Sequence, residues 1–158
     1  MKGARELVHG TCVALGERAV LLRGESGAGK SDLALRFLAL ESATGDAPGL
    51  VADDQVWVEA RGNGKVVASA PATLAGRIEV RGVGIMQVPH RSEATIVLVC
   101  DLSARESVPR QPPEPLDETE VAGVPVPCLR LTAFESSAAL KLKMALLAAA
   151  HDGSYGLH

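Results

Sequence analysis

The sequence predicts an α/β domain organised around one sheet, with hairpins inside the sheet and helices flanking it. Three observations carry this reading: turn-linked hairpin patterns over residues 7–23 and 55–70, an uninterrupted apolar strand run, ATIVLVCD, and two segments with apolar residues at helical spacing. With 158 residues, 47% of them hydrophobic and only 3% aromatic, the chain has the size of one domain with a full apolar core. No internal repeat and no linker divides it, so residues 1–158 are expected to form a single domain.

Taken in order, residues 7–23 combine an apolar stretch around Cys12, Val13 and Leu15, a turn at Gly16-Glu17-Arg18 and the buried-strand run AVLLR, which stops at Gly24. From 31 to about 40 the text SDLALRFLAL spaces Leu33, Ala34, Phe37 and Leu38 on one helical face. Asp32 sits in the first turn, where a carboxylate complements the helix dipole. Residues 41–49 (ESATGDAPG) are turn formers and predict a surface loop, after which LVADDQVWVEA returns to strand pattern with two carboxylates in its middle. Gly62-Asn63-Gly64 turns that strand back onto KVVASA. IEVRGVGIMQV is β-rich but interrupted by two glycines, and ATIVLVCD is the clearest buried strand. Residues 103–120 hold four prolines and many charges, which predicts an extended or mobile loop. A short strand at 128–131 and an Ala/Leu-rich helix from Glu135 to His151 close the fold, leaving DGSYGLH as a frayed tail.

Composition excludes several function classes. Sixteen Lys+Arg against nineteen Asp+Glu give a formal charge of −3 without a basic block, which speaks against nucleic acid as a partner. The apolar stretches fall well short of the roughly 20 residues needed to cross a bilayer, and MKGARELVHG has no signal-peptide apolar region. A soluble cytoplasmic protein without a membrane partner is expected. Cys12, Cys100 and Cys128 are odd in number and set among apolar neighbours, the signature of buried thiols rather than of disulfides or a zinc site.

The chemistry is carried by Gly24-Glu25-Ser26-Gly27-Ala28-Gly29-Lys30-Ser31, which satisfies G-x-x-x-x-G-K-[ST] between a predicted strand and a predicted helix. Glycines let the backbone curl so that successive N–H groups face nucleotide phosphates, and the helix N-terminus adds partial positive charge. Lys30 is placed to reach the β- and γ-phosphates, and the Ser31 hydroxyl to ligate Mg2+. Asp53 and Asp54 follow Leu50-Val51-Ala52, where a carboxylate ending a strand meets the phosphates. On a strand the two side chains point to opposite faces, so they are expected to do different jobs. The alternative is a solvated Asp-Asp turn. His9 belongs to the strand expected beside the phosphate-loop strand, and by itself reads equally as a surface or core histidine. Glu79 and Arg81 alternate on a strand, which taken alone reads as a solvated face.

His9 in HG, GESGAGKS, LVADDQV and IEVRGVGIMQV occur in the order found in the catalytic domain of HPr kinase/phosphorylase, which the chain resembles from about His9 to Pro127. The E-[IV]-R-G-[LV]-G-I segment is the most diagnostic of these. The resemblance implies a P-loop domain of the phosphoenolpyruvate-carboxykinase type and transfer of phosphate from ATP, with Mg2+, to a serine of the phosphocarrier HPr. It implies Asp53 as the general base toward that serine, Lys30 as the neutralising cation, Ser31 and Glu79 as magnesium ligands and His9 as an active-site residue. Asp54 is a metal-side carboxylate in this reading. Arg110, thirteen residues before GVPVP, stands close to an active-site arginine of the family. A homo-oligomer, in the family a hexamer, is also implied.

Three departures accompany the resemblance. The chain is expected to lack the N-terminal domain of the family's full-length members, like the short forms of bacteria whose phosphotransferase system is regulatory. The 41–49 loop lengthens the spacing from the phosphate loop to Asp53, which a surface connection absorbs. After GVPVP the chain reads CLRLTAFESSAAL in place of the P-G-R-N-like segment that the family uses for phosphorolysis of phosphoserine, and Arg130, the nearest remaining cation, is not a good match. The alternative readings are a P-loop kinase acting on another protein or a small hydroxylated metabolite, and a nucleotide-sensing module without turnover.

Overall fold

The computed structural model describes residues 4–42, 46–150 and 152–156. The 41–49 loop, the first residues of the chain, the expected helix end at His151 and the end of the tail fall partly outside these residues. Among the described residues the chain first forms β1 (Arg5–His9), β2 (Thr11–Leu15), β3 (Arg18–Arg23) and α1 (Lys30–Leu38). There follow β4 (Pro48–Ala52), β5 (Gln55–Ala60), β6 (Val66–Ser69), β7 (Arg77–Val80) and β8 (Gly84–Gln87). The last elements are β9 (Glu93–Leu102), β10 (Asp117–Val121), β11 (Val124–Leu131) and α2 (Ala138–Ala148). No helix among them is long and apolar enough to cross a membrane.

The α/β class is as predicted, and so are the β2–β3 and β5–β6 hairpins, α1 and the long strand β9. The main sheet has nine strands in the order β1-β5-β6-β9-β3-β2-β4, with β11 on the far edge of β9 and β10 on β11. The three central strands β3, β9 and β11 run parallel, so their C-terminal ends, where ligands bind in open α/β sheets, open on one side of the molecule. Strand alternation splits the core in two. Val20 and Leu22 of β3 face the helices with Leu33, Phe37, Leu142 and Leu146. Ala19 and Leu21 face the other way, toward Val56, Val58, Val99 and Val126. Cys12, Cys100 and Cys128 are free and buried, as expected.

Several expectations are corrected. The sheet is not single: β7 and β8 form a two-stranded sheet of their own. Gly82 (φ 85) and Gly84 (φ 121) adopt backbone angles open mainly to glycine, and Val83 N–H closes the turn on the Val80 carbonyl at 2.9 Å, so the two halves pair with each other. Arg81 therefore lies in a turn, not on a strand with Glu79. LVADDQVWVEA is not one strand but two, β4 and β5, broken at Asp53-Asp54 where Asp54 takes φ 68. His9 ends β1, which pairs with β5 and not with the phosphate-loop strand β3. Of residues 103–120, those from Asp117 onward form β10, an outer strand that runs on to buried Val121 and is charged at Asp117, Glu118 and Glu120, a pattern that suits an edge and imitates a loop. The 128–131 strand extends back to Val124, because Pro125 and Pro127 precede the ladder to β9, which begins at Cys128. The closing helix spans Ala138–Ala148 rather than Glu135 to His151, with Ala149 already extended at its C-cap. The tail, where described, is anchored: Tyr155 packs on the core and bridges Ala149.

Candidate active site

Strand β3 delivers the chain into the glycine turn, and α1 begins inside it. Gly29 caps the helix at φ 95, and a Cβ there would lie 2.7 Å from the Ala133 Cβ, so only glycine lets the turn pass under the segment after β11. Gly27 (φ 87) has open space around it and lines a cavity of about 450 Å3. Lys30 is buried with its charge satisfied: Nζ donates to the carbonyls of Gly24 at 2.6 Å and Glu25 at 2.9 Å.

Strand β2 sets Thr11 beside the Asp53-Asp54 bend. Asp53 is only 9% exposed. Its Oδ1 accepts hydrogen bonds from Ser31 Oγ at 2.7 Å and Thr11 Oγ1 at 3.0 Å, and its Oδ2 accepts one from the Glu79 N–H at 3.3 Å. Asp54 points the other way, its side chain 70% exposed, with Oδ1 3.4 Å from His9 Nδ1. The pair is a turn between strands, as the alternative sequence reading has it, but only one member is solvated. His9, Ser31, Lys30, Asp54, Glu79 and Arg81 all line the 450 Å3 cavity, whereas Asp53 lies behind Ser31.

Among the described residues no three His, Cys, Asp or Glu side chains are gathered as a ready-made metal cluster. The residues around the cavity nonetheless suit Mg2+: the Ser31 hydroxyl and the Glu79 carboxylate are hard oxygen donors beside a glycine turn at a helix N-terminus, and the Asp54 carboxylate lines the same cavity. Such a cation takes few protein ligands and completes its shell with phosphate and water oxygens.

Arg110 is not brought to this site. It lines a separate cavity of about 760 Å3 with Arg23, Asp101, Thr119 and Arg130. That cavity is the larger, but it contains neither the glycine turn nor the acidic bend, so the smaller one is the candidate for chemistry. An ionic cluster forms part of the larger cavity's lining. Arg23, the residue before Gly24, donates from Nε and Nη2 to the Asp101 carboxylate at 2.7 and 3.0 Å and from Nη1 to Thr119 Oγ1 at 3.1 Å. The Cys128 thiol donates to Asp101 Oδ2 at 3.3 Å. Burial pushes the Asp101 carboxyl upward, but Arg23 and the thiol outweigh it and hold it below the usual carboxylate range. Burial and the neighbouring carboxylate push the Cys128 thiol up to about 11, so it is not a thiolate near neutral pH. Burial likewise raises Cys12 and Cys100.

Sequence reasoning misses Thr11, whose one signal is a hydroxyl within the fully buried strand TCVAL, and Phe134, which lines the cavity from beyond β11.

Residues 3–132 match the family described as HPr Serine kinase C-terminal domain. The chain is 42% identical over 110 residues to the HPr kinase/phosphorylase of Lactobacillus delbrueckii subsp. bulgaricus, covering 65% of this chain and 33% of that protein. To the HPr kinase/phosphorylase of Levilactobacillus brevis it is 35% identical over 105 residues, 62% of this chain and 32% of that one. It thus spans about a third of the length of the curated relatives it matches. Among solved structures, the Hpr(Ser) kinase/phosphatase from Coxiella burnetii superposes with a TM-score of 0.72, covering 87% of this chain and 86% of that one. At 23% identity this likeness shows the fold.

Proposed function

Because the chain belongs to the HPr Serine kinase C-terminal domain family, we propose that it transfers the γ-phosphoryl group of ATP, with Mg2+, to a serine hydroxyl of an HPr-type phosphocarrier. The observation that carries the reading is the convergence of Lys30, Ser31, Asp54, Glu79 and His9 on one cavity around the glycine turn. Mg-ATP supplies the electrophilic phosphorus and neutralises part of the triphosphate charge. This chain's residues do the rest. The turn's N–H groups and the Lys30 ammonium hold the phosphates, Ser31 and Glu79 hold the metal side, and the open mouth admits the acceptor hydroxyl.

The two aspartates divide the work differently from what the resemblance implies. Asp53 is occupied by hydrogen bonds from Ser31, Thr11 and the Glu79 N–H and does not line the cavity, which suits it to fixing Ser31 rather than to meeting the acceptor hydroxyl. Asp54 faces the cavity with His9 beside it and has free oxygen capacity, so we assign it the proton from the acceptor serine. The reading covers transfer toward serine only, since the P-G-R-N-like segment tied to the reverse reaction is missing after GVPVP. Cytoplasmic location and self-association belong to the same reading, and light scattering checks the second.

The test is radiolabel transfer from ATP to the organism's own HPr-like protein, with phosphoserine as product. Asp54→Asn is expected to slow transfer by roughly 10²–10⁴-fold with Mg-ATP affinity retained, the usual contribution of a positioned base. Asp53→Asn is expected to weaken Mg-ATP binding itself. Unimpaired transfer in Asp54→Asn would return the base to Asp53, and an HPr left unlabelled by the wild type would remove the acceptor from the proposal.

A further inference from the structure

The chain has two phenylalanines, and the fold treats them oppositely: Phe37 is fully buried, whereas Phe134 is 71% exposed. A singly exposed apolar side chain needs no explanation. One whose backbone is pinned in place over a cavity does. Arg36 of α1 donates from Nη1 to the Glu135 carbonyl at 3.0 Å and from Nη2 to the Ala133 carbonyl, while its Nε is held by Asp32 at 3.1 Å. Both residues flanking Phe134 are therefore tied to the helix that starts in the glycine turn. The ring edge rests on Gly29, where an added Cβ would meet Cε1 and Cζ at 3.1 Å, and the ring lines the same cavity as Lys30 and Ser31.

Sheet order places this ring across the turn from the acids. From β3, one direction leads through β2 to β4 and the Asp53-Asp54 bend; the other leads through β9 to β11 and then Phe134. A triphosphate whose terminal group lies at Ser31 and Asp54 then extends its nucleoside toward the β11 side. We propose that Phe134 is the platform on which the nucleobase stacks, an assignment that rests on the phosphate-loop reading above. An aromatic face recognises any base by its π surface, so the platform is tolerant between purines. Arg36 is the positioning residue that keeps the ring over the cavity.

Calorimetry on the full chain with Mg-ATP and with Mg-tripolyphosphate, which carries the phosphates without a base, separates the two ideas. Phe134→Ala is expected to weaken ATP and GTP binding by roughly tenfold or more and to leave tripolyphosphate binding unchanged. Phe134→Trp should retain ATP affinity, with indole fluorescence that responds to ATP and not to tripolyphosphate. Equal ATP affinity in wild type and Phe134→Ala overturns the platform while the phosphate-loop reading stands. Parallel loss of both ligands in Phe134→Ala also overturns it, since the ring would then act only by packing on Gly29. A wild type that binds neither ligand removes the phosphate-loop reading and the platform with it.

Discussion

Asp53 and Asp54 are adjacent in the chain and opposite in circumstance, and the left-handed backbone of Asp54 at φ 68, a conformation Asp tolerates better than most residues, separates them. Thr11 keeps Asp53 inward. Thr11→Val preserves shape and removes one donor from a buried carboxylate, so it should cost about 1–2 kcal/mol of stability and weaken Mg2+ binding in the presence of ATP. Denaturant unfolding and a Mg2+ titration check the two effects, and an unchanged midpoint with unchanged Mg2+ affinity would strip Thr11 of its role. Asp101 makes a pH-dependent case. Its folded pKa lies below its unfolded one, so its contribution is present above the unfolded value of about 3.9 and is lost as pH falls through the lower folded value. Asp101→Asn should therefore destabilise at pH 7, on the order of 1 kcal/mol for a partly exposed pair, and less at pH 3, below the unfolded value. Equal losses at the two pH values would show that the carboxylate's charge does not matter. Lys30 and Ser31 are legible in the sequence because the glycine turn is local. The Thr11–Asp53 contact spans 42 positions and is not.

At the scale of elements, the hairpin β2–β3, the helix α1 and the strand β9 follow from period and turn residues alone, since each is decided within a dozen or so neighbours. What stays hidden is pairing. IEVRGVGIMQV announces strand but not that it folds on itself, and DETEV reads as loop because its charges suit the outside of a sheet whose edge is set by distant residues. The break at Asp53-Asp54 is hidden for the same reason, as the Gly10 N–H that binds the Asp54 carbonyl at 3.1 Å comes from another strand pair. The glycine turn offers the sharpest test of element geometry. Gly27→Ala and Gly29→Ala both force a side chain onto positive φ, which costs about 1 kcal/mol or somewhat more. Only at Gly29 does the new Cβ also collide with Ala133, adding roughly 1–3 kcal/mol of overpacking. Gly29→Ala should show the clearly larger fall in thermal midpoint. Gly27→Ala should keep most of its stability and still lose nucleotide affinity, because its methyl enters the cavity. Equal midpoints for the two variants would contradict the crowding at Gly29.

For the molecule as a whole, the decisive contrast is between a nine-stranded sheet buried on two faces and a hairpin outside it. Strands β3 and β9 lie at the centre, wholly or almost wholly apolar where they cross the core, and their amides can exchange only when much of the domain opens. The β7–β8 hairpin is held by buried Ile78, by the Glu79 N–H on Asp53 and by the Val88 N–H on the Gly76 carbonyl at 2.9 Å, while every residue of β8 is exposed. Local opening of the hairpin therefore needs far less surface to be uncovered. It is also the element that carries Glu79 and Arg81 to the cavity, so a bound Mg-nucleotide adds contacts to the closed hairpin and none to the open one, which shifts the equilibrium toward closure. Hydrogen exchange should accordingly rank β3 and β9 amides slowest, show β7–β8 amides exchanging much faster in the free protein, and slow the hairpin selectively when Mg-ATP is added. Glu79→Gln should keep the fold and abolish most of that selective slowing, because it removes the charge that Glu79 presents to the cavity without touching Ile78. A hairpin already as protected as β9 without nucleotide, or one indifferent to Mg-ATP, would mean that it is part of the rigid frame and that Glu79 does not report on the metal.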